Sequence, residues 1–319
     1  MGEDVNTISN NISSNNNNTN NKDDDNCETS NENLKPWYQR WDSQRIGFHL
    51  KDVNPIIVKY LPELLKTTST TCNCKQIQHR RIFVPLCGKA IDMAYLASSS
   101  SSSSSSLSPS VQLEVVGLEG IRVALEEFIQ EHPNLNIKPI ITTNNNANDE
   151  NSTHRSKKLE QFVGDNITLL KGDYFDLLEE EDSSSASIIG RFDYIYDRGS
   201  MVAIEPQLRT SYVKILKSLL KPGGKIILVT LERISTSNNI EATKKGPPYS
   251  IDENNVREMF SCDEHNNNND NNDNNDNWIE SSITLLEETD QLVLVPEDKL
   301  RYPDLDQLLE AVYLIQRKK

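Results

Sequence analysis

The sequence predicts a doubly wound α/β fold, a Rossmann-like sheet with helices on both faces. Three observations carry this. Strand-like apolar runs alternate with helical patterns along the chain, the pattern of a parallel sheet. The first strong strand, Ile82-Phe83-Val84, stops at Pro85 and turns through one glycine, Gly88, into a helical run, which is how nucleotide-binding α/β units open. The second strand ends in an acid, Glu119, at the position where such folds bind ribose hydroxyls.

Residues Trp37 to Leu65 read as one or two amphipathic helices flanking a loop at Gly47-Phe48-His49. Arg80 to Leu86 is the first strand. Lys89 to Ala97 follows as a helix, apolar at Ile91, Ala94, Tyr95 and Leu96. Leu113 to Glu119 is the second strand, and Ile121 to Glu131 a helix with Leu125, Phe128 and Ile129 on one face. Ile167 to Leu170 is a short strand leading to Asp173-Tyr174, and Phe192 to Tyr196 is another, ending at Asp197-Arg198-Gly199. Gln207 to Leu220 is a helix with Pro222-Gly223-Gly224 as its stop signal. Lys225 to Leu231 is a buried-type strand, and Asp252 stands as N-cap of a helix from Glu253 to Phe260. Ile283 to Glu288 and Val312 to Gln316 close the sheet. Connections in such folds are right-handed, and ligands sit at the carboxyl ends of the strands.

Not all 319 residues can pack. Residues 1–33 are an Asn/Asp-rich tail, Ser98 to Ser106 is unbroken serine, and Asn144 to Asn151 and Asn266 to Asn277 are Asn/Asp-rich. Such segments bury too little surface to offset their chain entropy, so a disordered tail is expected at 1–33. One domain is expected over 34–319, with low-complexity insertions at 98–110, 144–151 and 263–277. Roughly 240 residues remain for its core, enough for a single α/β domain.

Net charge is −15, of which residues 1–33 carry −6 and residues 261–277 carry −5. The remainder shows no basic stripe, which argues against a nucleic-acid partner. No apolar run approaches the ~18 residues of a membrane span, and the polar N-terminus has no secretory core. The five cysteines form no disulfide framework and suit a reducing cytoplasm. Cys72 and Cys74 with His79 nearby have neither a standard zinc spacing nor a fourth ligand, so no metal is expected.

Gly88 and Glu119 are 31 residues apart, or 18 without the 13-residue insertion at 98–110. That places Glu119 near the ribose position, about 20 residues past the glycine turn; a solvated strand-end glutamate is the plainer alternative. A pyrophosphate needs several glycines to let backbone amides approach, and only one is present. A cofactor with a ribose and no phosphate fits better, and S-adenosylmethionine is such a cofactor. Asp173 and Tyr174 fall where its adenine would rest, although Asp173 also suits a turn or cap. Trp37, Trp41 and Phe48 crowd the first helical segment. Aromatic faces attract a sulfonium cation, and the same spacing serves core packing equally well.

Trp37-x-x-x-Trp41 with Ile46-Gly47-Phe48-His49, Val84-Pro85-Leu86-Cys87-Gly88-Lys89, Val116-Gly117-Leu118-Glu119, Tyr196-Asp197-Arg198-Gly199 and Gly246-Pro247-Pro248-Tyr249 together resemble the thiopurine S-methyltransferase family. The resemblance runs from about Leu34 to Arg317 once the Ser and Asn tracts are set aside. It implies a class I methyltransferase sheet using S-adenosylmethionine. It implies cofactor contacts at Trp37, Trp41, Leu86, Glu119, Asp173, Tyr174 and Arg198, with Phe48 near the substrate and Arg198 acting on the acceptor. The implied acceptor is a small aromatic or heterocyclic thiol, handled by a monomer without a metal. Halide, sulfide or a metalloid is the alternative acceptor, and an inactive cofactor-binding scaffold the alternative role. Arg198 paired to Asp197 or another acid would be structural instead. Cys87 is expected to be buried scaffold. The Asn- and Ser-rich tracts, and Glu232 after the fifth strand, depart from the family pattern.

Overall fold

The computed structural model describes residues 34–66, 77–99, 111–140, 159–178, 188–236, 239–261 and 282–318. The tail at 1–33, the insertions at 144–151 and 263–277, most of that at 98–110, and the Cys72–Cys74 pair lie outside the described residues.

Among the described residues nine strands form one sheet: β1 (Gln78–Pro85), β2 (Val111–Glu119), β3 (Lys138–Pro139), β4 (Glu160–Gly164), β5 (Ile167–Lys171), β6 (Phe192–Arg198), β7 (Leu220–Ile234), β8 (Ile283–Asp290) and β9 (Gln307–Gln316). Their order is β3-β4-β5-β2-β1-β6-β7-β9-β8. The centre, β5-β2-β1-β6-β7, is parallel. Both edges are antiparallel, a departure from the all-parallel expectation. The reason at one edge is local. Only Asp165 and Asn166 separate β4 from β5, and a connection so short can close a hairpin but cannot cross over.

The helices are α1 (Lys35–Asp42), α2 (Pro55–Leu65), α3 (Ile91–Ser99), α4 (Arg122–Glu131), α5 (Arg209–Leu219), α6 (Ile240–Lys244), α7 (Glu253–Phe260), α8 (Gln291–Leu294) and α9 (Asp298–Arg301). Alternation along the strands feeds two cores. Phe83, Val116, Leu118 and Ile195 pack with α5 and α7 residues such as Tyr212, Leu216 and Phe260. Ile82, Val84, Val115 and Ile227 pack with Ile57 and Leu64 of α2, Met93 of α3 and Phe128 of α4. Capping is local and legible. Asn54 accepts the Ile56 amide ahead of Pro55 at the start of α2. Asp252 and Asn255 form a reciprocal capping box on α7.

One stop signal works differently from expectation. α5 ends at Leu219, and the chain enters β7 at once with Leu220, which is fully buried and pairs with Phe192. Gly223, at φ +76°, instead serves an irregularity in the strand, where pairing slips between Phe192 and Tyr194. Tertiary pairing of Leu220 thus overrides the glycine cap. Likewise the helix after β1 begins at Ile91 and not at Lys89.

β1 lies between β2 and β6, so the chain leaves it in opposite directions on its two sides. The carboxyl ends of β1 and β6 therefore border the crevice where open α/β sheets bind ligands.

Candidate functional site

The loop leaving β1 carries two left-handed residues, Leu86 at φ +42° and Gly88 at φ +51°. Leu86 pays steric strain for that conformation, which Gly88 adopts freely. The loop is held from three sides. The Cys87 amide donates to the Leu118 carbonyl at 3.0 Å. The Gly88 amide donates to Glu119 Oε2 at 2.8 Å. Ser200 Oγ, just past β6, donates to the Pro85 carbonyl at 2.6 Å.

Glu119 is 7% exposed, and its other oxygen accepts the Ile121 amide at 2.8 Å. Burial pushes its carboxyl pKa up, while backbone N–H groups of Ile121, Gly88 and Gly120 pull it back. A carboxylate has about four lone-pair sites, and the three amides leave acceptor capacity for a hydroxyl. Gly199, at φ +82°, has nothing within 4 Å of where a side chain would start, so the end of β6 is open. A strand-end carboxylate with spare acceptors, a strained one-glycine turn and open space beside β6 fit a ribose-bearing, phosphate-free cofactor.

α1 and the loop after it lie over this turn. Trp41 is 3% exposed, and its indole would meet a Cβ on Gly88 at 3.5 Å. Tyr38 donates to the Gly120 carbonyl at 3.2 Å, and Leu34 fills the space where a Gly120 side chain would be. Phe48 stands edge-on to both tryptophans, with centroids 5.8 Å from Trp37 and 6.0 Å from Trp41. Trp37, Trp41 and Phe48 thus form one cluster above the β1 loop.

Arg198, the last residue of β6, is part-buried and donates from Nη1 to the Phe48 carbonyl at 3.2 Å. The alternative of an Arg198–Asp197 pair is not what forms. Asp197 points to the opposite face, fully buried, accepting from Tyr212 Oη at 2.7 Å and the Met201 amide at 3.1 Å. Among the described residues no ion pair involves Arg198.

Asp173 caps the turn Tyr174–Leu177, accepting the Phe175 amide at 2.9 Å. The ring of Tyr174 belongs to the core: it is 1% exposed, stacks on Tyr212 at 4.5 Å and donates to the Tyr212 carbonyl at 3.0 Å. Cys87 is buried scaffold, its thiol pKa pushed well up by burial and by Glu119. Lys89 is drawn to Glu127 and Glu131 at 2.9 and 2.7 Å. Among the described residues no group of three or more potential metal ligands is found, and no helix is long and apolar enough to cross a membrane.

The roles of three polar residues at or near the site were not read from the sequence. Asp92 accepts the Asn54 amide at 2.8 Å and the Tyr196 hydroxyl at 3.1 Å, tying α2, α3 and β6 together. Ser200 ties the ends of β1 and β6. His49 sits beside Arg198 and Lys89, and burial, then Lys89, lowers its pKa. The available signal was polarity inside apolar runs, as with Asp92 in the first turn of α3.

A parallel β5-β2-β1-β6-β7 centre, a one-glycine turn and a buried strand-end acid define a class I, S-adenosylmethionine-dependent methyltransferase. The chain belongs to the thiopurine S-methyltransferase family, whose model matches residues 32–295. A thiopurine S-methyltransferase of Aliivibrio salmonicida is 33% identical over 225 residues, 70% of this chain and 81% of that protein. One of Vibrio atlanticus is 32% identical over 229 residues, 72% and 82% of the two chains. Among solved structures, TehB from Haemophilus influenzae aligns with a TM-score of 0.46 at 11% identity, over 88% of this chain and 67% of that one.

Proposed function

We propose that this methyltransferase acts on small aromatic or heterocyclic thiols. The observation that carries the reading is Arg198. Its guanidinium stands at the end of β6 beside the Trp37–Trp41–Phe48 cluster, with one of its five N–H donors on the Phe48 carbonyl; among the described residues no carboxylate reaches salt-bridge distance, and Glu310 feels its charge only through space. A fixed cation beside aromatic faces suits an aryl thiolate: the charge stabilises sulfur and the rings receive the ring. The family relatives, named thiopurine S-methyltransferases, agree with a heterocyclic thiol.

The cofactor supplies a methyl group already activated on a sulfonium. The protein's residues bind and align. Glu119 accepts the ribose hydroxyls, while Leu86 and the Gly88 turn border the methionine portion. Asp173 and the Tyr174 backbone flank the adenine. Trp37 and Trp41 cover the sulfonium and exclude water, and Phe48 meets the acceptor. Arg198 keeps the acceptor ionised, so its sulfur lone pair forms the new S–C bond as the old one breaks. The products are a thioether and S-adenosylhomocysteine, and no metal or covalent enzyme intermediate is required. Alignment and water exclusion are the protein's share of the rate. The buried, free Cys87 suits a reducing cytoplasm, and we take the enzyme to work there as a monomer.

The test is turnover of Arg198→Ala and Arg198→Lys on aryl thiols of graded acidity. Losing a preorganised electrostatic contact costs about 100- to 1000-fold in rate. The penalty should shrink for acidic thiols, which ionise unaided, and Arg198→Lys should retain part of the activity. An equal penalty on every thiol, with a lowered melting temperature, would make Arg198 structural.

A further inference from the structure

Asp197 is a carboxylate with no exposure and no cationic partner among the described residues. Burying an ionised group without a counter-charge is costly. The groups facing it are Tyr212 from α5, whose hydroxyl donates at 2.7 Å, and Tyr174 from the turn after β5, which feels its charge. Below it the Met201 and Ser200 amides donate to it. No lysine, arginine or histidine is among these contacts. Burial pushes its pKa up to about 6, against the Tyr212, Met201 and Ser200 hydrogen bonds that pull it down.

Its position explains why such a group would be kept. It precedes Arg198 directly, and the two amides it holds belong to the turn Gly199–Met201 that follows. Ser200 in that turn donates to Pro85, where the β1 loop begins. One carboxylate therefore fixes the backbone on both sides of Arg198 and reaches the cofactor loop through a single hydroxyl.

We propose that Asp197 is a positioning residue for methyl transfer: its ionised carboxylate locks the turn after β6 so that Arg198 and the Pro85–Gly88 loop are held in register. The proposal rests on the acceptor role of Arg198. A misplacement of about 1 Å at a reacting centre costs about 100-fold, so turnover is where the lock is read.

The test uses the full chain and an aryl thiol with an electron-withdrawing ring, ionised throughout pH 5–8, so that the acceptor does not titrate. Asp197→Asn should lower kcat about 100-fold, with KM for the thiol little changed. Its melting temperature at pH 7.5 should be equal or higher, because a buried charge is removed. The native kcat should fall as pH drops through about 6, as Asp197 takes up its proton, and Asp197→Asn should lose that limb. Tyr212→Phe removes a hydrogen bond to the ionised form, so the limb should move to higher pH. His49, whose pKa burial and Lys89 lower, also gains charge on acidification, but Tyr212→Phe should not move a limb that belongs to it. A kcat for Asp197→Asn within twofold of native overturns the proposal, as does a lowered kcat with a lowered melting temperature and an unchanged limb. If Asp197→Asn does not fold, an unmoved limb in Tyr212→Phe overturns it alone. The parallel Arg198→Ala variant separates the two readings. If Arg198→Ala has no effect on thiol turnover, the acceptor role fails. If Arg198→Ala is costly and Asp197→Asn is not, only the positioning role fails.

Discussion

Replacing Glu119 with Ala removes two things at once, and the structure lets each be sized. The Gly88 and Ile121 amides, both at 2.8 Å from the carboxylate, lose their acceptor. Each buried N–H left unsatisfied costs about 1–3 kcal/mol, and loss of a desolvated carboxylate returns part of that, so stability should fall by about 2 kcal/mol. Separately, if Glu119 holds the ribose as proposed, the cofactor should lose hydrogen bonds to a charged group, worth about 1.5–3 kcal/mol. That is roughly a 10- to 150-fold rise in cofactor Kd. Chemical denaturation of the free protein reads the first loss. Calorimetric titration with S-adenosylhomocysteine, at a temperature where the variant is folded, reads the second. A 2′-deoxyribose analogue completes a double-mutant cycle: it should bind the native chain weakly and lose little more on the variant. Unchanged Kd in Glu119→Ala, with full affinity of the native chain for the deoxy analogue, would refute the ribose role. Glu119 would then be only the clamp of the Gly88 turn.

Trp41→Ala uncovers Gly88 and should weaken S-adenosylhomocysteine binding by about 2–3 kcal/mol, a cost within the range for truncating a buried aromatic anchor; titration with unchanged affinity would leave Trp41 as packing alone. Gly117→Ala would set its Cβ 2.7 Å from Met93 Sδ and 2.8 Å from Cys87 Sγ, and such overpacking should destabilise by about 1–3 kcal/mol in denaturant titration. The raised pKa of Asp197, about 6 against an unperturbed 3.8, means the folded state binds this proton more tightly than the unfolded one. Its ionisation therefore costs stability fully above pH 6, and the cost is relieved as pH falls toward 4. The stability advantage of Asp197→Asn over the native chain should accordingly shrink over that window, and a difference independent of pH would contradict the sign. Deleting residues 1–33, a polar segment without apolar anchors, should leave the melting temperature and cofactor affinity unchanged.

The parallel centre of the fold was legible because each of its strands is an apolar run bounded by a turn signal. Arg80 to Leu86 and Phe192 to Tyr196 could be read with little context. At one edge the strands Ile283 to Glu288 and Val312 to Gln316 were read but not their antiparallel direction; the other edge was not read, since the pairing of β4 with β5 depends on a two-residue turn, and β3 has only two residues, Lys138 and Pro139. At the site, spacing singled out Glu119 once the serine run was discounted, and the structure buries it against the Gly88 and Ile121 amides, contacts that spacing does not reveal. The Trp37–Trp41–Phe48 cluster was foreseen as a group, but that Trp41 covers the Gly88 turn, where an added Cβ would meet its indole at 3.5 Å, is something no spacing reveals. The surroundings of Tyr174 were not legible either: its ring stacks on Tyr212, contributed by a helix further along the chain, which leaves its backbone as the part that borders the strand end. Asp197 was read only as a possible partner of Arg198, because neighbours in a strand point to opposite faces and sequence does not say what lies on each.

The central claim is methyl transfer from S-adenosylmethionine to an aryl thiol at the site bordered by Glu119 and Arg198. Its most direct test is product analysis with the purified chain, methyl-labelled S-adenosylmethionine and a panel of aryl thiols, halide, sulfide and arsenite. The account predicts labelled aryl methyl thioether and S-adenosylhomocysteine in equal amounts, with Arg198→Ala greatly slowed. Tight cofactor binding with no label on any thiol, or label appearing only on halide, sulfide or arsenite, would contradict it.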